Sequence, residues 1–138
     1  MPPHWLPPGG KTKTPALVVS FDCETYPTET DQGEVHRLRC WDAVVRDRTG
    51  SSPKVPPIDH YAGETAAELA ELLGLAAEVT PEVWALAHNL GFDLTVTALP
   101  VVLAARGWGL KFVNLGDETC IFCLERDKWK IVLTDSWS

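Results

Sequence analysis

The chain has 138 residues, 12 of them basic and 19 acidic, for a net charge of −7. With 45% hydrophobic and 22% charged residues, this is the composition of one globular domain with a core, and it excludes bulk disorder. The acidic balance excludes a broad, metal-free nucleic-acid-binding surface but not a nuclease whose carboxylates are neutralised by divalent ions, and no apolar run reaches the roughly 18–20 residues that span a bilayer.

Residues 1–15 hold five prolines and two glycines and no periodic pattern, so they read as a flexible leader. They lack the apolar stretch of a signal peptide, which predicts a cytoplasmic protein without a membrane partner. The domain then runs from 16 to 138. Ala16 to Phe21 is a short apolar strand buried on both faces, ending in Asp22-Cys23-Glu24-Thr25. A second strand is expected over Val35–Arg46, a turn at Gly50-Ser51-Ser52-Pro53 and a third strand over Ile58–Tyr61. Thr65 and Glu68 form a capping box ahead of Leu69, Leu72, Leu73, Ala76 and Val79 at helical spacing, and Pro81 ends that helix. Val83–Ala87 is a second central strand, followed by a helical segment to about Ala105 that Pro100 either kinks or restarts. Strands over Lys111–Leu115, Thr119–Glu125 and Lys130–Thr134 complete the chain, the last two joined by a turn at Arg126-Asp127-Lys128. Three strands, then alternating helix and strand, predict an α/β fold: a mixed sheet covered by helices.

Cys23, Cys40, Cys120 and Cys123 come without a secretion signal, and Cys120 and Cys123 are a lone C-x-x-C on a strand, so buried thiols are expected rather than disulfides or zinc. Asp22 and Glu24 are two apart on a strand, which puts both carboxylates on one face with Cys23 turned away. Such a pair repels unless a cation or proton sits between its members, and magnesium or manganese suits oxygen ligands. Asp93 also follows an apolar strand. If the two strands are parallel neighbours, Asp93 starts a helix at the edge where Asp22 and Glu24 lie. The plainer alternatives are a solvated surface pair for Asp22 and Glu24, and a helix cap for Asp93.

Val18-Val19-Ser20-Phe21-Asp22-Cys23-Glu24-Thr25 resembles the first exonuclease motif of the DEDD superfamily, and His88-Asn89-Leu90-Gly91-Phe92-Asp93 resembles the second. The match is closest to the proofreading domain of family B DNA polymerases of the protein-primed type. Ile131-Val132-Leu133-Thr134-Asp135-Ser136 resembles a strand of those enzymes that ends in Asp-Ser. The resemblance covers 16–138 and implies an RNase H-like mixed β-sheet flanked by helices. It implies that Asp22, Glu24 and Asp93 are catalytic and hold two Mg2+ or Mn2+ ions. It further implies that Thr25, Asn89, Phe92 and Ser136 grip the 3′ end of single-stranded DNA, and that a polymerase domain is a partner. The activity implied is metal-dependent 3′→5′ hydrolysis releasing nucleoside 5′-monophosphates. The family also uses a fourth carboxylate in Tyr-x-x-x-Asp or His-x-x-x-x-Asp, and neither pattern follows Asp93 at suitable spacing. The domain is therefore expected to be C-terminally truncated, with Asp135 a weak substitute. The alternative is an inactive RNase H-like module that binds nucleic acid or a partner protein. A haloacid dehalogenase-like phosphatase fits poorly, because it needs Asp where Glu24 stands.

Overall fold

A computed structural model describes residues 17–47, 58–87, 89–115 and 120–135. The leader, the turn at 50–53, His88 and Ser136 lie outside the described residues. Among the described residues seven strands form one sheet: β1 (Leu17–Thr30), β2 (Gly33–Asp47), β3 (Ile58–Gly63), β4 (Glu82–Ala87), β5 (Gly109–Leu115), β6 (Cys120–Arg126) and β7 (Trp129–Asp135). Three helices interrupt them: α1 (Ala66–Val79), α2 (Leu90–Thr97) and α3 (Leu99–Ala105). The spatial order is β3-β2-β1-β4-β7-β6-β5. β1, β4 and β7 run parallel to one another, and the other neighbouring pairs are antiparallel. No helix among the described residues is long and apolar enough to cross a membrane.

Period-2 alternation sorts the central strands. Val19 and Phe21 of β1, Val83 and Ala85 of β4, and Ile131 and Leu133 of β7 form one buried cluster with Leu69, Leu73, Leu90, Leu99 and Leu103 of the helices. All three helices thus bury their apolar residues against the same face of the sheet. Val18, Trp84 and Val132, on the opposite face, are outside that cluster. The helical cover expected from the sequence is one-sided among the described residues.

Local chemistry sets the element ends. Thr65 accepts a hydrogen bond from the Glu68 amide at 3.2 Å, and Glu68 accepts one from the Thr65 amide at 3.0 Å. This is the capping box read from the sequence; the Glu64 amide, which also donates to Glu68 at 3.0 Å, and then the Thr65 amide and hydroxyl hold the carboxyl of Glu68 below its ordinary value. The indole of Trp41 in β2 donates to the Thr65 carbonyl at 2.8 Å, tying the sheet to the start of α1. Gly63 makes room for that ring: a Cβ there would stand 2.5 Å from it. Between α2 and α3 the chain breaks at Ala98, in the left-handed region (φ 50°), and Pro100 occupies the first turn of α3. The interruption therefore falls two residues before the proline, whose fixed φ suits a helix start.

One expectation is corrected. The first strand does not end at Phe21. It continues to Thr30 and pairs with β2 along its whole length, as a long hairpin that leaves the sheet. Only the parallel pairing with β4 stops at Phe21, opposite Ala87. The extension was missed because residues beyond Thr25 are exposed on both faces and carry no apolar alternation.

Candidate active site

Three parallel strands finish their pairing at one edge. β1 passes Phe21 into Asp22, β4 reaches Ala87, and β7 ends at Asp135 in register with Ala87. Asp22 and Glu24 are exposed and alternate with Cys23, which is buried. The carboxylates share a face, as their spacing requires. The Cys23 amide donates to Asp22 Oδ1 at 3.0 Å.

Asp93 lies one turn inside α2 and is only 1% exposed. It is not the helix cap. Asn89 fills that role, its side-chain oxygen accepting from the Phe92 amide at 3.4 Å. Asp93 instead meets β1 from the helical side of the sheet. There it is hydrogen-bonded to Cys23, the residue that alternation turns toward the helices. This differs from the expectation that Asp93 faces Asp22 and Glu24 directly. A helix on one face of a strand touches the residues of that face, and here that residue is Cys23. Burial pushes the Asp93 carboxyl up to about 6, with the nearby charge of Asp22 acting in the same direction. Hydrogen bonds from Cys23 and Asn89 act against the rise. Its Oδ2 is buried without a hydrogen-bond partner. The Cys23 thiol is pushed up to about 12 by burial and by Asp93, so it is no nucleophile at neutral pH.

Asp135 is committed elsewhere. Its Oδ1 accepts from the Leu90 amide at 3.0 Å, so it joins Asn89 in satisfying the exposed amides at the start of α2.

Of the predicted substrate contacts, Thr25 and Phe92 are brought together by a residue the sequence did not single out. His36 of β2 has its Nδ1 3.0 Å from Thr25 Oγ1 and its Nε2 3.0 Å from Glu34. The same ring stands edge-on to Phe92, with centroids 5.6 Å apart. These residues lie on the helical side of the hairpin, opposite Asp22 and Glu24. A hairpin register through Asp31 and Gln32 would have put His36 beside Thr25, had the first strand been read to its full length. The described residues contain no cluster of three or more His, Cys, Asp or Glu arranged to hold a metal. Asp22 is near enough for its charge to act on the Asp93 carboxyl, which keeps one buried oxygen without a hydrogen-bond partner.

Comparison with protein-family models, curated proteins and solved structures gave no match to this chain.

Proposed function

We propose that the chain is an RNase H-like 3′→5′ exonuclease domain of the proofreading type found in family B DNA polymerases. The observation that carries the reading is the edge itself. A sheet with the order β3-β2-β1-β4-β7 and β2 reversed brings the ends of three parallel strands together, each followed or flanked by an acidic residue. Ligand sites of such sheets form at that edge.

Asp22 and Asp93 would hold a divalent magnesium or manganese ion, and Glu24 would supply a further ligand from the face of Asp22. Ions bound there supply the Lewis acidity that activates water and stabilises the leaving 3′ oxygen. The chain's own contribution is placement. Burial holds Asp93 fixed against β1, so its free oxygen points from a rigid helix. Asn89 and Asp135 together fix where that helix starts. Phe92 offers a ring face to the terminal base or sugar, and Thr25 a hydroxyl held by His36. Cys23, kept as a thiol, leaves hydrolysis to water without a covalent intermediate.

The test is digestion of 5′-labelled single-stranded DNA with manganese. Stepwise shortening from the 3′ end is expected, and its loss in Asp22→Asn. Wild-type chain that leaves the label at full length overturns the reading. A second reading has one observation in its favour: Asp135 Oδ1 accepts from the Leu90 amide, a bond that serves the start of α2. It makes the chain a non-catalytic RNase H-like binding module. Manganese binding seen by calorimetry and abolished in Asp22→Ala, together with shortening, excludes it.

A further inference from the structure

The β1–β2 hairpin extends beyond the sheet as an arm, and its two faces divide the charges. Register pairs Tyr26 with Arg37 and Thr28 with Val35 on one face, and Thr25 with Leu38, Pro27 with His36 and Glu29 with Glu34 on the other. The acidic pair of the arm's strands, Glu29 and Glu34, is thus on the His36 side. The Tyr26 side is continuous with Glu24 and Asp22, because alternate residues of one strand line one face. A β-bulge between Glu24 and Thr25 shifts the register there, and the Arg39 guanidinium stands 5.8 Å from the centroid of the Tyr26 ring. Tyr26 is 57% exposed, and Arg37 and Arg39 are exposed beside it. Among the described residues neither arginine has a carboxylate at ion-pair distance. In a chain with a net charge of −7, two arginines without ion pairs around an open aromatic ring are a local reversal of charge.

We infer that this face of the arm is a track for a single-stranded polynucleotide, with Arg37 and Arg39 on its phosphates and Tyr26 stacked on a base, leading to the edge that holds Asp22 and Glu24. The chemistry is that of strand binding without sequence preference: a ring accepts any base face, and guanidinium groups follow the backbone. Without the track, the acidic edge repels the phosphates it would have to approach. The inference deepens the nuclease reading and rests on it for what happens at the end of the track.

The experiment measures binding of fluorescently labelled oligo(dT) and oligo(U) to the full chain by anisotropy, in EDTA, across a salt series. Arg37→Ala with Arg39→Ala should flatten the slope of log affinity against log salt by about 1.4, two contacts at roughly 0.7 each. Tyr26→Ala should weaken binding roughly tenfold, and Tyr26→Phe should restore it, since stacking needs the ring and not the hydroxyl. Lys128→Ala, on the distant β6–β7 turn, is the control for loss of any positive charge. Equal affinity for the two oligonucleotides assigns the track to their shared phosphate and base chemistry, and a preference for one identifies the strand. An unchanged slope in the double variant, an equal flattening in Lys128→Ala, or no binding by wild type overturns the proposal. The two readings fail separately. Arm-dependent binding without manganese-dependent shortening keeps the track and sinks the nuclease, whereas shortening with wild-type affinity in the arginine variant does the reverse.

Discussion

Replacing Asp93 with Asn tests whether the buried carboxylate is held at a cost to the fold. Asp93 is 1% exposed and its carboxyl is carried from 3.8 to about 6. At about 1.36 kcal/mol per pH unit, ionising it in the folded chain costs on the order of 3 kcal/mol relative to the unfolded chain. The sign follows from proton counting. Between pH 3.8 and about 6 the folded chain keeps the proton and the unfolded chain has lost it, so stability falls as pH rises through that window. Asn has nearly the same shape and no charge. Both side chains leave one buried atom without a partner, so that term cancels in the difference. Asp93→Asn should therefore be the more stable protein at pH 8, by up to about 3 kcal/mol, and the gap should close toward pH 4. Urea unfolding followed by circular dichroism at several pH values, in EDTA, reads the difference as a shift in midpoint at constant slope. Manganese added at pH 8 should raise the stability of wild type and leave the variant unmoved, because a ligand that binds only the folded state stabilises it. A gap that is independent of pH, or a wild type more stable than the variant at pH 8, would refute the reasoning.

Glu24→Gln should lower manganese-dependent shortening of labelled DNA by at least tenfold while leaving the circular dichroism spectrum unchanged, since its side chain is exposed and bears no core contact. Thr65→Ala removes the acceptor of the Glu68 amide and should cost about 1 kcal/mol, seen as a fall of a few degrees in Tm. Glu68→Gln should destabilise at neutral pH and have no effect in acid, because the Glu68 carboxyl is held below 4.5 and its contribution vanishes as pH falls through that lowered value. Gly63→Ala forces a methyl against the Trp41 ring, 2.5 Å away, and should cost about 1–3 kcal/mol in urea unfolding.

What the sequence made legible was whatever local periodicity determines. The capping box at Thr65 and Glu68 needs only four residues, and α1 begins where those residues say. The apolar runs Leu17–Phe21 and Val83–Ala87 read as central strands from composition alone, although helices cover one face of each and Val18, Ser20, Trp84 and Leu86 on the other are half-buried. Alternation alone set Asp22 and Glu24 on one face. Orientation across elements was not legible. Asp93 turns to Cys23 because α2 crosses the helical face of β1, and no spacing in the chain encodes that crossing. Asp135 meets Leu90 across 45 positions of sequence, which only the parallel register of β4 and β7 brings about. The hairpin arm escaped because an element solvated on both sides leaves no hydrophobic signature. Its full pairing sets Tyr26 opposite Arg37 and Pro27 opposite His36, at the border of the candidate site.

The bond from the Leu90 amide to Asp135 gives the edge a mechanical property. α2 is anchored at its first residue to the last residue of β7, and three residues on, through Asp93, to β1. Strand end, helix and strand form a closed triangle whose corner is a single carboxylate. Any force that draws the end of β7 away from the sheet pulls on the helix that aims Asp93, and any shift of that helix is felt at Asp22. The spacing between the two acidic groups is thus set from a point that neither of them touches.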